Sequence, residues 1–297
     1  MLGYRHGFHA GNFADVVKHS VLVMELGRFV LKDTPFLYFD THGGRGIYDL
    51  NSEWAETGEA ERGIKRLLSL SFSGDSSGIP DSCKFYLDIV KKTWGSGSVY
   101  PGSPLIASYF IREQDYGVIS ELHPKDFKAL ENLFRHSRNI HLHFKDGFER
   151  CRSLLPPRGN MPKRGLLLLD PSYELPEDYS LVQEAVKRNI KTWTAGTILL
   201  WYPLIERRAG LIENLKSGIA DFAGKENVEW LVCELAVRKP GLTERDGHQT
   251  SLYGTGMIIV RPGWKTRDKL EELLPFYQKI FAEDDCSYFK IESSGSL

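Results

Sequence analysis

Apolar and polar positions recur along this chain with two periods, and the period changes where the elements change. In GNFADVVKHSVLVMELGRFVLKD, Val17, Val21, Met24 and Phe29 trace one face at helical spacing, with Leu22 and Leu26 beside it. That spacing predicts a helix with Asn12 as its N-cap and Asp15 as an acid in its first turn. PFLYFD (35–40) is a short apolar run closed by an acid, the mark of a buried strand, and THGGRG follows as a glycine-rich loop. Strand-like runs return at YGVISEL (116–122), NIHLHFKD (139–146), GLLLLD (165–170), GTILLWYP (196–203), VEWLVCELAV (228–237) and GTGMIIVRP (254–262). Helical text lies between most of them: PKDFKALENLFRH, with Phe127, Leu130 and Phe134 on one face, then GFERCRSLL, then segments at 178–190 and 205–217.

Strands alternating with helices predict a doubly wound, Rossmann-like α/β sheet, here of seven strands. No clear helix separates the last two strands, so they are expected to pair antiparallel across a long loop, KPGLTERDGHQTS. Residues 49–100 break the rhythm. They hold charged helical text and a Ser/Gly-rich loop but no core strand, and they predict a helical insertion within a single domain spanning 1–297. The closing ESSGSL is expected to fray.

Composition narrows the function classes. The 297 residues are 41% hydrophobic and 26% charged, an ordinary globular balance. A net charge of −1 supplies no general basic field, so any nucleic-acid contact must use a local patch. Four scattered cysteines with no CxxC spacing exclude a zinc ribbon and a thioredoxin motif and point to reduced thiols. The N-terminal text lacks an apolar signal core, and no run is long and apolar enough to span a bilayer, so a cytoplasmic protein is expected. His6, His9, Asp15 and His19 invite a metal reading. Without thiolates or an HExxH pattern, no metal is expected.

In doubly wound sheets ligands bind at the carboxyl ends of the strands, near the switch point. Four acids stand there: Asp40, Glu121, Asp146 and Asp170. The DTHGGRG loop is neither G-x-G-x-x-G nor a Walker loop, which disfavours a dinucleotide pyrophosphate and suits an adenosyl ligand. Glu121 is placed to accept hydrogen bonds from a ribose diol, and Asp146, before Gly147, from an exocyclic adenine amine. At Asp170-Pro171-Ser172-Tyr173 a rigid turn follows the central strand. The Asp170 carboxylate and the Pro171 carbonyl are two acceptors for a base amine, with the Tyr173 ring as a stacking face.

DPSY resembles the Asp/Asn/Ser-Pro-Pro-aromatic signature of adenine-N6 and related amino methyltransferases. YRHGFHAGNFADVVKH, FLYFDTHGGRGIY, YPGSPLIA, ISELHP, KDGF and LWYP resemble one family closely along nearly the whole chain: RlmJ, the 23S ribosomal RNA adenine-N6 methyltransferases. The resemblance implies a class I fold and S-adenosylmethionine bound through His19, His42, Ser103, Glu121, Asp146, Gly147 and Asp170. It implies Asp170 as the catalytic proton acceptor, Tyr4 as a residue that handles RNA, and His6 and Lys18 as further motif positions near the substrate. The usual second proline is Ser172 here, which restores an N–H and loosens the turn. Lys18 alone reads either as a solvated charge or as a phosphate contact. Three other readings stay open on the residues alone: methylation of DNA adenine, methylation of another amino substrate, and an RNA-binding relative impaired in turnover.

Overall fold

Asn12 caps the first helix as its position suggests: its side chain accepts the backbone N–H of Asp15 at 2.9 Å. The structure is a computed structural model, and it describes residues 7, 9–51, 58–72, 78–95, 98–245 and 248–294. Tyr4 and His6 lie outside the described residues. Helix α1 (Phe13–Val30) is buried on nearly every side from Ala14 to Leu26, because it runs between the sheet and the insertion. Strand β1 (Leu37–Asp40) follows, then β2 (Ile47–Asp49). Helices α2 (Glu59–Arg62), α3 (Ile64–Phe72) and α4 (Asp81–Trp94) make up the insertion. Strand β3 (Val99–Pro101) closes it by pairing antiparallel with β2, Tyr48 opposite Tyr100.

The chain then gives α5 (Ser103–Ser108), β4 (Tyr116–Glu121), α6 (Pro124–Phe134), β5 (Ile140–Phe144), α7 (Gly147–Leu154) and β6 (Gly165–Leu169). Next come α8 (Glu177–Thr192), β7 (Gly196–Ile205), α9 (Ala209–Lys225) and β8 (Trp230–Ala236). Strands β9 (Thr243–Arg245) and β10 (His248–Thr250) pair with each other, and β11 (Leu252–Val260), α10 (Thr266–Phe281) and β12 (Tyr288–Ser293) complete the order.

The main sheet has eight strands in the order β12-β8-β11-β7-β6-β1-β4-β5. β5, β4, β1, β6 and β7 are parallel, and β11 runs antiparallel between β7 and β8. The four leucines of β6 show why this sheet is covered on both faces. Leu166 and Leu168 join one apolar cluster with α1, the insertion helices and α10. Leu167 and Leu169 join another with α8 and α9. A strand buried on both sides reads as an unbroken apolar run, as β6 does.

The seven anticipated strands all form, and β8 and β11 pair antiparallel as expected. Two points differ. Glu292 and Ser293 do not fray: they end an eighth strand, β12, on the edge beside β8. Its side chains are exposed or half-buried, so its sequence has no apolar run to betray it. The long loop after β8 also carries its own short ladder, β9–β10. Among the described residues no helix is long and apolar enough to cross a membrane.

Candidate active site

The sheet reverses its winding at β1 and β6, and the carboxyl ends of these neighbours open into a cleft of about 550 Å³. Its walls bring together His19, His42, Ser103, Glu121, Asp146 with Gly147, and Asp170 with Pro171. These residues come from six separate stretches of chain, and the topology alone assembles them.

The glycines set the floor. A Cβ on Gly43 would stand 2.4 Å from the Ile119 side chain, and one on Gly147 2.0 Å from the Thr41 carbonyl oxygen. Gly44, at φ +57°, donates its N–H to Glu121 at 2.7 Å. Glu121 also accepts the N–H groups of Leu122 and His123. Three bonds use most of a carboxylate's roughly four acceptor sites and leave about one for a ligand. Burial nevertheless outweighs these bonds and pushes the Glu121 carboxyl up to about 6.

Asp146 caps α7 by accepting the N–H of Glu149 at 2.8 Å, so its structural role and its place on the cleft wall coexist. His42 is held by Thr41 Oγ1 at 2.8 Å and packs edge-on against Phe148. Burial drives its imidazole down to about 4, which keeps it neutral at pH 7. His19 is hydrogen-bonded to Tyr100 of β3 at 2.7 Å, and Tyr100 in turn to Tyr86 of α4, so the insertion orients a cleft residue. Asp40 lies fully buried behind the cleft. It accepts hydroxyls from Ser103 and Tyr38, and burial raises its carboxyl to about 6. His9 pairs with Glu59 of the insertion at 3.0 Å, which ties the chain before α1 to α2.

Asp170 follows β6 and faces the cleft, its side chain 13% exposed. Lys18 reaches it from α1 at 2.7 Å and also contacts Asp15 at 2.8 Å. Lys18 is buried and lines the cleft, so the solvated surface charge does not describe it. Burial works to discharge the ammonium, but Asp15 and Asp170 together outweigh it and hold the group well above the ordinary lysine range.

Tyr173 departs from its expected place. Its backbone adopts φ +53°, a left-handed conformation uncommon for a tyrosine. That turn sends the ring inward, where it packs 4.6 Å from Tyr179 and donates its hydroxyl to the Trp201 carbonyl at 2.7 Å. It belongs to the core rather than the cleft wall. The aromatic face on the wall is Trp201 of β7, fixed by its indole N–H to Thr255 and lying 5.5 Å from the Lys18 ammonium. The sequence offers Asp15 as a first-turn acid and as a member of the His6, His9, His19 group, not as a partner of Lys18. Its spacing of three from Lys18 on a helix was the signal for an ion pair.

The donor set fits an adenosyl sulfonium ligand: a carboxylate at the β4 end, a glycine floor without obstructing Cβ atoms, an apolar flank at Phe148, and an acid at the switch point. Among the described residues no group of three or more His, Cys, Asp or Glu is arranged to hold a metal ion.

Strand order, the antiparallel β11 and the ligand cleft at the switch point define a class I S-adenosylmethionine-dependent methyltransferase. The family model described as Ribosomal RNA large subunit methyltransferase D, RlmJ, matches residues 33–291, and the chain belongs to that family. It is 36% identical over 296 residues to Ribosomal RNA large subunit methyltransferase J of Haemophilus influenzae, covering 98% of each chain. It is 38% identical over 279 residues to the protein of the same description from Escherichia coli K12, covering 93% of this chain and 92% of that one. Among solved structures, protein LPL1258 from Legionella pneumophila strain Philadelphia 1 matches with a TM-score of 0.82 at 30% identity, over 97% of this chain and 100% of that one.

Proposed function

We propose that this protein transfers a methyl group from S-adenosylmethionine to the N6 amine of an adenine in 23S ribosomal RNA, in the cytoplasm and on RNA free of ribosomal proteins. The observation that carries the reading is Asp170: a carboxylate at the tip of a central strand, tied to Lys18 and facing the donor cleft. The descriptions of the two curated relatives, both large-subunit ribosomal RNA methyltransferases, support the substrate class.

When bound, S-adenosylmethionine supplies a methyl group on a positively charged sulfur. Glu121 holds its ribose, Gly43 and Gly147 admit it close to the backbone, and Asp146, His42, His19 and Ser103 complete the walls. The target adenine leaves its stack, at a cost of a few kcal/mol in a duplex and less in a loop. Trp201 walls the pocket it enters. Asp170 and the Pro171 carbonyl accept the two N6–H hydrogens and favour a pyramidal nitrogen, which releases the lone pair from the ring for attack. The Lys18 ammonium holds the Asp170 carboxylate in place as an acceptor. A carboxylate is a sufficient base, because N6 passes its proton to Asp170 only after it has gained the methyl group and become acidic. Tyr4 and His6, ahead of α1, act on the RNA side by family resemblance.

The test is methyl transfer from labelled donor to protein-free 23S RNA purified from a strain lacking the enzyme, followed by digestion to nucleosides. N6-methyladenosine is expected, and Asp170→Ala should abolish it while donor binding persists. Label in another nucleoside, or none despite intact donor binding, would overturn the assignment.

A further inference from the structure

Arg238 is a buried arginine that the reaction as described does not use. It stands two residues beyond β8 and is 4% exposed. Its guanidinium donates to four backbone carbonyls. Lys239 and Gly241 belong to the loop leaving the sheet towards the β9–β10 hairpin, at 3.1 and 3.0 Å. Thr250 and Leu252 belong to the strand returning from it, at 3.2 and 3.1 Å. One rigid fork therefore closes the neck of the hairpin from inside. The neck is also fastened to the region after α10. Glu283 lies 3.7 Å from the Arg238 Nε and donates its own N–H to Val237, while Lys239 donates its N–H to Asp284.

The returning strand lines the cleft at Thr250, Ser251 and Leu252, and Leu252 stands opposite Ile205 of β7, another wall residue. Sheet order places this wall. Glu121 ends β4, on one side of the β1–β6 switch point, and Leu252 opens β11, on the other side beyond β7. Of the donor residues, His42, Glu121 and Asp146 stand at the β1, β4 and β5 ends and Asp170 at the switch point, which leaves the β7–β11 side for the acceptor.

We propose that the β9–β10 hairpin is the acceptor-side wall of the active site, a docking arm for the RNA strand flanking the target adenine, and that Arg238 is the positioning residue that fixes its posture. The inference rests on the ribosomal RNA reading above. A wall held by main-chain bonds to one side chain stays preorganised, so RNA does not have to order it on binding. Arg238 touches neither substrate nor donor and acts only through the neck.

Steady-state methylation of protein-free 23S RNA by wild type, Arg238→Gln, Arg238→Lys and a variant with residues 242–249 replaced by Gly-Gly tests this, with S-adenosylhomocysteine titrations alongside. Arg238→Gln and the trimmed hairpin should raise KM for RNA about tenfold, with kcat and S-adenosylhomocysteine affinity within about twofold of wild type. Arg238→Lys should recover part of the loss, since an ammonium can serve some of the four carbonyls. If Arg238→Gln does not fold, the trimmed hairpin decides. An unchanged KM in the variants, or an equal loss of S-adenosylhomocysteine affinity, overturns the inference while the methyltransferase reading stands. No RNA methylation by wild type removes both.

Discussion

Lys18 and Asp170 are 152 positions apart in the chain and 2.7 Å apart in the fold. Asp15 completes the group on the other side of the ammonium. Two carboxylates and one ammonium leave a net negative charge at the switch point, on the wall that receives a cationic donor.

Removing Lys18 should therefore be expensive in stability as well as activity. Lys18→Met leaves Asp15 and Asp170 without their shared cation in a buried setting, at about 3–5 kcal/mol. Urea unfolding should show this loss, and methyl transfer should fall with it. Unchanged stability would mean the two acids find other partners and the ion pair is incidental.

Donor binding should weaken on the acid side because of Glu121. Its carboxyl lies up at about 6 in the fold, and only the ionised form is a full acceptor for a ribose diol. Affinity for S-adenosylhomocysteine should hold above that value and drop by about tenfold per pH unit well below it, if one proton is linked. The same upward shift means the folded state binds the proton more readily than the unfolded chain does. The ligand-free protein should gain a little stability as pH falls from about 6 towards the ordinary carboxyl value. Glu121→Gln should bind weakly at every pH and flatten the profile. A slope surviving in that variant would transfer the effect to Asp40, whose carboxyl is raised to a similar value.

Gly147→Ala tests the glycine floor. The new methyl would sit 2.0 Å from the Thr41 carbonyl oxygen, a backbone atom that cannot swing aside. Overpacking of this kind should cost about 3 kcal/mol and displace the start of α7 from β1. Calorimetric titration should find donor binding lost at 25 °C even where circular dichroism shows the variant folded.

Tyr173 and Trp201 should separate cleanly. Tyr173→Phe removes a buried hydroxyl donor to the Trp201 carbonyl and should cost about 1 kcal/mol, with KM for RNA unchanged. Trp201→Ala should raise KM for RNA and spare donor affinity. A raised KM for RNA in Tyr173→Leu, with Trp201→Ala unchanged, would restore the tyrosine to the base-stacking role.

The strands of the parallel half were legible because burial on both faces writes itself as apolar runs: GLLLLD and GTILLWYP admit little else. The acids at their ends were legible for the same reason, since a charge that closes such a run must stand at a strand tip. Chemistry that depends on pairing across the chain was not. Nothing local marks Lys18 as buried, because its burial is stabilised by an aspartate made 152 residues later. Tyr173 was misplaced because the positive φ that turns its ring inward is set by packing against Tyr179 and Trp201. Strand β12 escaped notice because an edge strand with exposed side chains carries no periodic signature.

The near-complete burial of α1 bears on how this chain comes off the ribosome. The helix's buried surface, polar residues included, is covered in part by β6, β7 and β11, which follow more than a hundred residues later. Until then α1 has no sheet to lie on, and Lys18 has only Asp15 for company. Until those strands exist, the apolar part of α1 that they cover is exposed and prone to aggregation. Docking of α1 joins the sheet, the insertion and the turn at Asp170, so the active site needs all three in place.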